Sequence, residues 1–347
     1  MRSFQIPKQI ATLALALLGA GVFVLLGLPL PFLFGPMAFC LLAALAGAPL
    51  KGMGTVSTLA RTVLGVAVGA SITPEVVSRI PQMAGSVALV PVYVVIIGLV
   101  GVPFFRRLGY DPVTAWYAAM PGGLQDMVAF GKEAGGDGRA LALIHATRVL
   151  IIATLAPIIL TGLYGSSLTG ALGEPARDLP VAELFLMAAA AIIGWKGAER
   201  VGLFGASILG PMIVTAILSL SGLIHSRPPA EAILTAQLFI GLAIGVQYVG
   251  VTFRELRSFI LSGLAFVLVL AVLAAIFTEI VTLTGLAQPV EGFLAFAPGG
   301  QAEMTVLALV AGADLGFVIL HHLTRIVVVI LGAPVAARLM GIRRTGG

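Results

Sequence analysis

Residues 121–157 read PGGLQDMVAFGKEAGGDGRALALIHATRVLIIATLAP, and residues 298–334 read PGGQAEMTVLALVAGADLGFVILHHLTRIVVVILGAP. At a constant offset of 177 positions, 13 of these 37 positions hold the same residue. Duplicated polar groups inside apolar sequence are typical of membrane proteins with internal pseudo-twofold symmetry, and they indicate where such a protein works. The polar and backbone-breaking matches include Pro121/Pro298, Gly122/Gly299, Gly123/Gly300, Asp137/Asp314, His145/His322, Thr147/Thr324 and Arg148/Arg325.

The composition indicates a protein that folds in lipid. Of the 347 residues, 59% are hydrophobic and only 10% are charged, whereas a soluble domain has about 25% charged residues. The basic residues are scattered between apolar runs, so the net charge of +5 predicts topology anchors rather than a nucleic-acid interface. Cys40 is the only cysteine, which excludes an intrachain disulfide, and the four histidines lack HExxH-like spacing. We therefore expect neither a metal nor a cofactor.

Apolar runs of about 20 residues, the length that crosses a bilayer, divide the chain into two halves. The first run follows Arg2 and Lys8, as in a signal peptide, but it is long and no small-residue cleavage site follows, so we interpret it as a retained span. A polar linker, residues 165–180, separates a first membrane repeat, residues 1–164, from a second, residues 181–347. The predicted crossings are 9–28, 31–49, 55–73, 84–104, 140–164, 181–197, 203–224, 231–250, 258–285 and 315–339.

Two further segments, 112–132 and 290–311, are predicted to be helices that break at Pro-Gly-Gly, because proline lacks an N–H and glycine disfavours helix. Each segment either crosses the membrane as a broken helix or enters and returns on one side. If both are re-entrant and the N-terminus is cytoplasmic, 14 of the 20 Lys and Arg lie inside and three outside; if both cross, the numbers are ten and seven. The positive-inside rule favours the first arrangement. The expected fold is an all-α polytopic membrane protein of two inverted repeats, each with about five transmembrane helices and one re-entrant or broken helix, with both termini cytoplasmic.

The first turn after each break carries candidate functional side chains. Asp126 and Glu303 occupy equivalent positions there, and Gln125 and Gln301 add amides close by. A carboxylate in a first helical turn stabilises the helix N-terminus. A charge near the bilayer centre costs about 2.5–3.5 kcal/mol, however, so such a residue is also a candidate for proton or Na⁺ coupling or for hydrogen bonding to a substrate.

The last span of each half carries a histidine and an arginine three residues apart, and therefore on one helix face. Each arginine either pairs with the acid of its own half or binds an anionic group of a ligand, with help from N–H groups after the break. The two roles are compatible. The histidines either relay protons or pack in the interior. The predicted substrate-binding set is Gly122, Gly123, Gln125, Asp126, His145, Arg148, Gly299, Gly300, Gln301, Glu303, His322 and Arg325.

Other polar and aromatic residues are given structural roles. Asp137 and Asp314 each precede a long apolar run and are predicted to be helix N-caps. His321 has no counterpart in the first half and is predicted to pack in the interior. Trp116 and Tyr117 are typical of the aromatic belts at the membrane surface.

The twin segments, together with Gly35-Pro36-Met37 and its match Gly210-Pro211-Met212, resemble the duplicated AbrB-type membrane proteins of bacteria over nearly the whole chain. The resemblance implies a distant relation to cation/proton antiporters and anion transporters, with interrupted helices and inverted repeats. It would place 84–164 and 258–339 in a mobile transport domain. The early spans of each half would form a scaffold, with a homodimer interface as one option, and the location would be the bacterial cytoplasmic (inner) membrane.

Members of this family are often labelled ammonia monooxygenase or transcriptional regulator. A monooxygenase needs a metal or flavin site and a DNA-binding regulator needs a soluble basic domain, and the sequence offers neither, so we expect no enzyme and no nucleic-acid partner. The expected function is secondary transport of a small, carboxylate-bearing solute, coupled to H⁺ or Na⁺ by alternating access. The alternative is a membrane-embedded sensor that affects gene expression indirectly. The expected partners are the solute and the lipid bilayer.

Overall fold

The computed structural model describes residues 7–342, except residues 29, 169, 171 and 204 and the side chain of Gln125. All regular structure in these residues is helical. A π-helical turn, Leu256–Ile260, leads into α12. The helices are α1 (Lys8–Leu25), α2 (Pro31–Leu45), α3 (Thr55–Ala70), α4 (Pro74–Arg107), α5 (Pro112–Ala119), α6 (Leu124–Glu133), α7 (Gly138–Gly162), α8 (Val181–Arg200), α9 (Ala206–Leu220), α10 (Ala230–Gly245), α11 (Phe253–Glu255), α12 (Leu261–Leu283), α13 (Pro289–Phe296), α14 (Gln301–Val310) and α15 (Leu315–Leu339).

Seven helical stretches of the described chain are long and apolar enough to cross a membrane. They are α1, α4, α7, α8, α15, α10 with the 3₁₀ turn that follows it, and α11 continued into α12. This is the composition expected of a multi-pass membrane protein, as the sequence predicts.

Three of the ten predicted crossings form helices well short of the roughly 20 residues that cross a bilayer. Helices α2, α3 and α9 contain 15, 16 and 15 residues. At 1.5 Å per residue they extend about 22–24 Å, less than the roughly 30 Å hydrocarbon core. Glycines with positive φ bound all three, because Gly47 (φ +87°) follows α2, Gly54 (φ +52°) precedes α3 and Gly205 (φ +59°) precedes α9. The predicted lengths of these three crossings are therefore wrong.

The described helices form two compact units, and each unit draws on both halves of the sequence. The first unit contains residues 1–78 and 168–251, and the second contains residues 79–167 and 252–347. Both segments that the resemblance assigns to a mobile domain fall in the second unit. The division into repeats at residues 165–180 is a division of the sequence, and it stays a prediction.

Glycines bring helix backbones into contact in the first unit. Gly19 of α1 lies against Gly35 of α2, and Gly194 of α8 lies against Gly210 of α9. A Cβ added at Gly19 would lie 2.7 Å from the carbonyl carbon of Gly35. Small residues allow such close packing of membrane helices. The second contact repeats the first at an offset of 175 positions.

A second duplicated contact joins the halves within the first unit. Gly65 of α3 packs on the backbone of α9 at Ile208, whereas Gly241 of α10 packs on the backbone of α2 at Leu33. Each pair places a helix of one half against a helix of the other. The first unit is therefore built from two equivalent sets of three helices.

The second unit contains both helix breaks, at the predicted positions. Helix α5 ends at Ala119 and α6 begins at Leu124, while α13 ends at Phe296 and α14 begins at Gln301. The three helices α5–α7 repeat as α13–α15 with the same lengths at the offset of 177. The prediction of interrupted helices is confirmed, and their re-entrant course stays a prediction.

Several structural roles are settled by burial and capping. Asp137 accepts hydrogen bonds from the N–H groups at the start of α7, and Asp314 caps α15 in the same way, as predicted. His321 is buried and its Nδ1 lies 2.8 Å from the carbonyl oxygen of Phe317. The aromatic-belt prediction is wrong for Trp116 and Tyr117, because α5 packs inside the second unit and buries both side chains.

Candidate ligand site at the two helix breaks

The guanidinium group of Arg148 binds the backbone of the first break. Its Nη1 donates to the carbonyl oxygen of Met120 at 3.3 Å, and its Nη2 donates to that of Gly122 at 2.6 Å. Both carbonyls lie beyond the end of α5, where helical N–H partners are lost. Arg148, which is buried in α7, therefore supplies donors for backbone groups that the break leaves open.

Arg325 binds the second break in the same way. Its Nη1 donates to the carbonyl oxygen of Ala297 at 2.9 Å, and its Nη2 donates to that of Gly299 at 3.0 Å. Each acceptor lies 177 positions after its counterpart in the first break. The sequence repeat thus corresponds to a repeat of hydrogen bonds.

In each half, the histidine contacts one further carbonyl oxygen of the same broken segment. His145 Nε2 lies 3.0 Å from the carbonyl oxygen of Tyr117, and His322 Nε2 lies 2.8 Å from that of Leu294. A carbonyl only accepts, so each Nε2 carries the proton. In the second half, Arg325 Nη2 lies 3.2 Å from His322 Nδ1, which can then accept from it. The predicted proton-relay role stays a prediction.

The two acids lie at the start of their own half-helices. The carboxylate of Asp126 lies against Gly123, and that of Glu303 against Gly300, so closely that a Cβ at either glycine would overlap an acid oxygen. Backbone N–H groups point outward at a helix N-terminus, and the helix dipole favours negative charge there. Glu303 is buried and Asp126 is partly exposed. The acids therefore occupy positions that also suit an anionic ligand.

The remaining predicted residues line the same turns. Gly122 and Gly299 lie under Met127 and Met304, where a Cβ would approach the methionine side chain to 2.7 Å. Gln301 is partly buried, and among the described atoms its Nε2 has no hydrogen-bond partner. The side chain of Gln125 lies outside the described part of the chain.

The two breaks come together within the second unit. The guanidinium of Arg148 lies within electrostatic range of Arg325, Glu303 and Tyr93. The Tyr93 hydroxyl, from α4, donates to the carbonyl oxygen of Phe296 at 2.8 Å, at the end of α13. The sequence repeat does not indicate Tyr93, because Tyr93 has no counterpart in the second half. The sequence signal for Tyr93 is its phenol hydroxyl inside an apolar span, since a buried tyrosine hydroxyl usually finds a hydrogen-bond partner.

The family model described as "Transition state regulatory protein AbrB" matches residues 32–341. The chain belongs to the AbrB family. It is 24% identical over 322 residues to an Escherichia coli (strain K12) protein named "Putative regulator AbrB", and the match covers 91% of each chain. It is 25% identical over 301 residues to the uncharacterized protein YhjN of Bacillus subtilis (strain 168), covering 81% of this chain and 78% of YhjN.

The charges at the breaks of this AbrB-family chain form a balanced set. Arg148 and Arg325 contribute two positive charges, and Asp126 and Glu303 contribute two negative charges when both are ionised. Within the described residues, no three His, Cys, Asp or Glu side chains lie close enough to hold a metal ion together. At this site the half-helix N-termini offer backbone N–H donors, and the acids offer carboxylate oxygens.

Proposed function

We propose that this AbrB-family protein is a secondary transporter for a small, carboxylate-bearing solute, coupled to H⁺ or Na⁺. The observation that carries the proposal is the duplicated arrangement at the two breaks. In each half an arginine and a histidine hold the broken backbone, and an acid lies at the start of the next half-helix. Broken half-helices whose N-termini face a ligand are a recurrent device of secondary transporters.

The charge balance supports coupling to a cation. With two arginines and two ionised acids the site is neutral, so an anionic solute alone would leave a net negative charge away from water, at a high cost in free energy. A proton on Asp126 or Glu303, or a Na⁺ beside them, removes that cost. The solute carboxylate and the coupling cation therefore favour each other's binding.

The arginines have two compatible roles in this proposal. Each holds its break in place through two carbonyls, and each adds positive potential at the half-helix N-termini without leaving the backbone. Asp126 and Glu303 take the coupling ion. We further propose inverted repeats in the bacterial cytoplasmic membrane, alternating access by movement of the second unit, and no enzymatic activity.

The first test is uptake into liposomes containing the purified protein. A panel of radiolabelled carboxylates is offered under an inward H⁺ gradient, an inward Na⁺ gradient, or neither. We expect at least one carboxylate to accumulate with one of the gradients. Asp126→Asn and Glu303→Gln should each abolish gradient-driven accumulation, because they remove the ionisable groups.

Glu133→Gln is the matched control for that experiment. It removes an exposed acid from the far end of α6, the helix whose first turn contains Asp126, and should leave uptake unchanged. Folded protein that accumulates no carboxylate under either gradient, or variants at Asp126 and Glu303 that accumulate it as the wild type does, would refute the proposal.

A second candidate is a membrane-embedded regulator that senses the same ligand without net transport. It is favoured by the family description and by the name of the Escherichia coli relative. A deletion strain complemented with a variant that binds ligand but moves none separates the two. Restored gene expression would favour the regulator, and failure to restore it would favour the transporter.

A further inference from the structure

A lateral groove runs along the second unit between α4, α5 and α15. Residues 94–103 of α4 form one wall, the end of α15 from Val328 together with Met340 forms the other, and Trp116 of α5 and the following Met120 form the floor. The groove encloses about 430 Å³, and its lining is almost entirely apolar. Its volume is in the range of ligand sites, roughly 300–1,000 Å³.

The rim of the groove is apolar and exposed. Val95 and Leu99 are 59% and 70% exposed, in the middle of the most apolar part of α4. In a helix that crosses a bilayer, such residues face acyl chains. Gly332 lines the opposite wall, and a Cβ there would meet no atom within 4 Å. The groove is therefore open space at the lipid-facing surface.

Two exposed basic residues lie beyond one end of the groove. Arg106 and Arg107 lie one helical turn beyond Val102 and Pro103 on the same face of α4, and both are exposed. From Val94 to Pro103 the helix rises about 14 Å, which is close to half of the roughly 30 Å hydrocarbon core. The groove thus matches one leaflet in depth, with positive charge where that leaflet's headgroups lie.

We propose that the groove binds one acyl chain of an anionic phospholipid, with the lipid phosphate at Arg107. Arg106 contributes less, because its Nη1 already donates to the carbonyl oxygen of Tyr110 at 2.7 Å. The bound chain packs on Trp116 and Met120. The indole N–H of Trp116 donates to the carbonyl oxygen of Ala333 at 3.1 Å, and the Met120 carbonyl is held by Arg148. The lipid therefore stabilises the first break from its lipid-facing side.

Thermal unfolding of delipidated protein tests the acyl-chain site. A ligand that binds only the folded state raises Tm, so phosphatidylglycerol should raise Tm more than phosphatidylcholine of the same chain length. Gly332→Leu fills the groove and should abolish both shifts. Gly162→Leu is the matched control, since it adds the same side chain to open space at the end of α7 and should keep both shifts.

A second pair of variants tests the contact between the lipid phosphate and Arg107. Arg107→Gln should remove the excess shift with phosphatidylglycerol, whereas Arg200→Gln, an exposed arginine in the last turn of α8, should keep it. A phospholipid with a photoreactive acyl chain should crosslink mainly to residues 94–103 and 328–340, and Gly332→Leu should remove those crosslinks. Even labelling of all lipid-facing helices, unchanged shifts in Gly332→Leu, or an excess shift that survives in Arg107→Gln would overturn the proposal.

Discussion

At the scale of single residues, the buried arginines show why a broken membrane helix needs a side chain with N–H donors on two separate nitrogens. A helix that stops in an apolar interior leaves carbonyls without N–H partners, and each such group costs free energy. The planar guanidinium of Arg148 presents two N–H edges that reach Met120 and Gly122 together. A lysine ammonium carries its three N–H donors on a single nitrogen, so it lacks the two separately placed nitrogens with which the guanidinium reaches both carbonyls.

Replacing Arg148 or Arg325 with lysine should therefore destabilise the second unit while keeping the charge. One carbonyl of each break loses its donor, which costs about 1–3 kcal/mol. Thermal unfolding followed by tryptophan fluorescence in a Trp195→Phe background measures this, because Trp116 then reports on the second unit alone. The loss should appear as a lower Tm for both variants.

Arg254→Lys is the control, since Arg254 is exposed in α11. It should leave Tm unchanged. If Arg148→Lys and Arg325→Lys unfold at the wild-type temperature, hydrogen bonding to two backbone carbonyls is not the reason that these positions require arginine. A role in contact with the transported ligand would then be the better explanation.

At the scale of helices, close packing in the first unit depends on glycines that touch backbone. Gly19→Ala should separate α1 from α2, because its Cβ would collide with the Gly35 carbonyl and with Phe39, and overpacking of this kind costs about 1–3 kcal/mol. Gly21→Ala in the same helix is the control. Its Cβ meets nothing within 4 Å, and alanine is the better helix former.

The equivalent contact between α8 and α9 allows the same test in the second half of the chain. Gly194→Ala in α8 should be as harmful as Gly19→Ala, whereas Gly197→Ala should be harmless, since a Cβ at Gly197 has open space. Thermal unfolding of the four variants, read from Trp195 in a Trp116→Phe background, checks both halves. Equal Tm values for Gly19→Ala and Gly21→Ala would contradict tight backbone contact at this crossing.

The first or last residue of a helix could be predicted where the sequence changes between polar and apolar at that residue, and not elsewhere. The prediction 315–339 agrees with α15, which begins after the polar cap Asp314. Helix α2 stops at Leu45 although the sequence stays apolar to residue 49, because a turn through Gly47 ends it and apolarity alone does not reveal that. Helix α4 begins ten residues before the predicted 84, in a stretch where Glu75, Ser78 and Arg79 lower the hydropathy.

The candidate site was predictable in its side chains but not in their partners. Repetition of polar residues identified the histidines and arginines, because such residues are costly in lipid and two independent copies indicate a shared constraint. Their acceptors are backbone carbonyls 26 and 28 residues earlier in the chain, and a carbonyl has no residue-type signature. Only the folded arrangement of α5 beside α7 identifies them.

At the scale of the whole molecule, helices α5–α7 repeat as α13–α15 with equal lengths, and an inverted arrangement of the two halves predicts on which side of the membrane each loop lies. Inverted repeats would place the loop after α6 and its equivalent after α14 on opposite sides. Ala134 and Ala311 are such a pair, since they lie 177 positions apart and each is the C-cap residue of its half-helix. A cysteine at either position has the same local backbone.

Single cysteines at these positions, in a Cys40→Ala background, give the decisive comparison. In right-side-out membrane vesicles, a membrane-impermeant maleimide should label Ala311→Cys and leave Ala134→Cys unlabelled, and inside-out vesicles should give the reverse. The expectation follows from the positive-inside rule, because Lys132 and Arg139 flank Ala134 whereas no lysine or arginine lies near Ala311 in the sequence. Labelling of both cysteines from the same side would mean that the broken segments cross the membrane and that the repeats are parallel. The two half-helix N-termini would then reach the site from the same side of the membrane, which removes the symmetry on which alternating access through an inverted repeat depends.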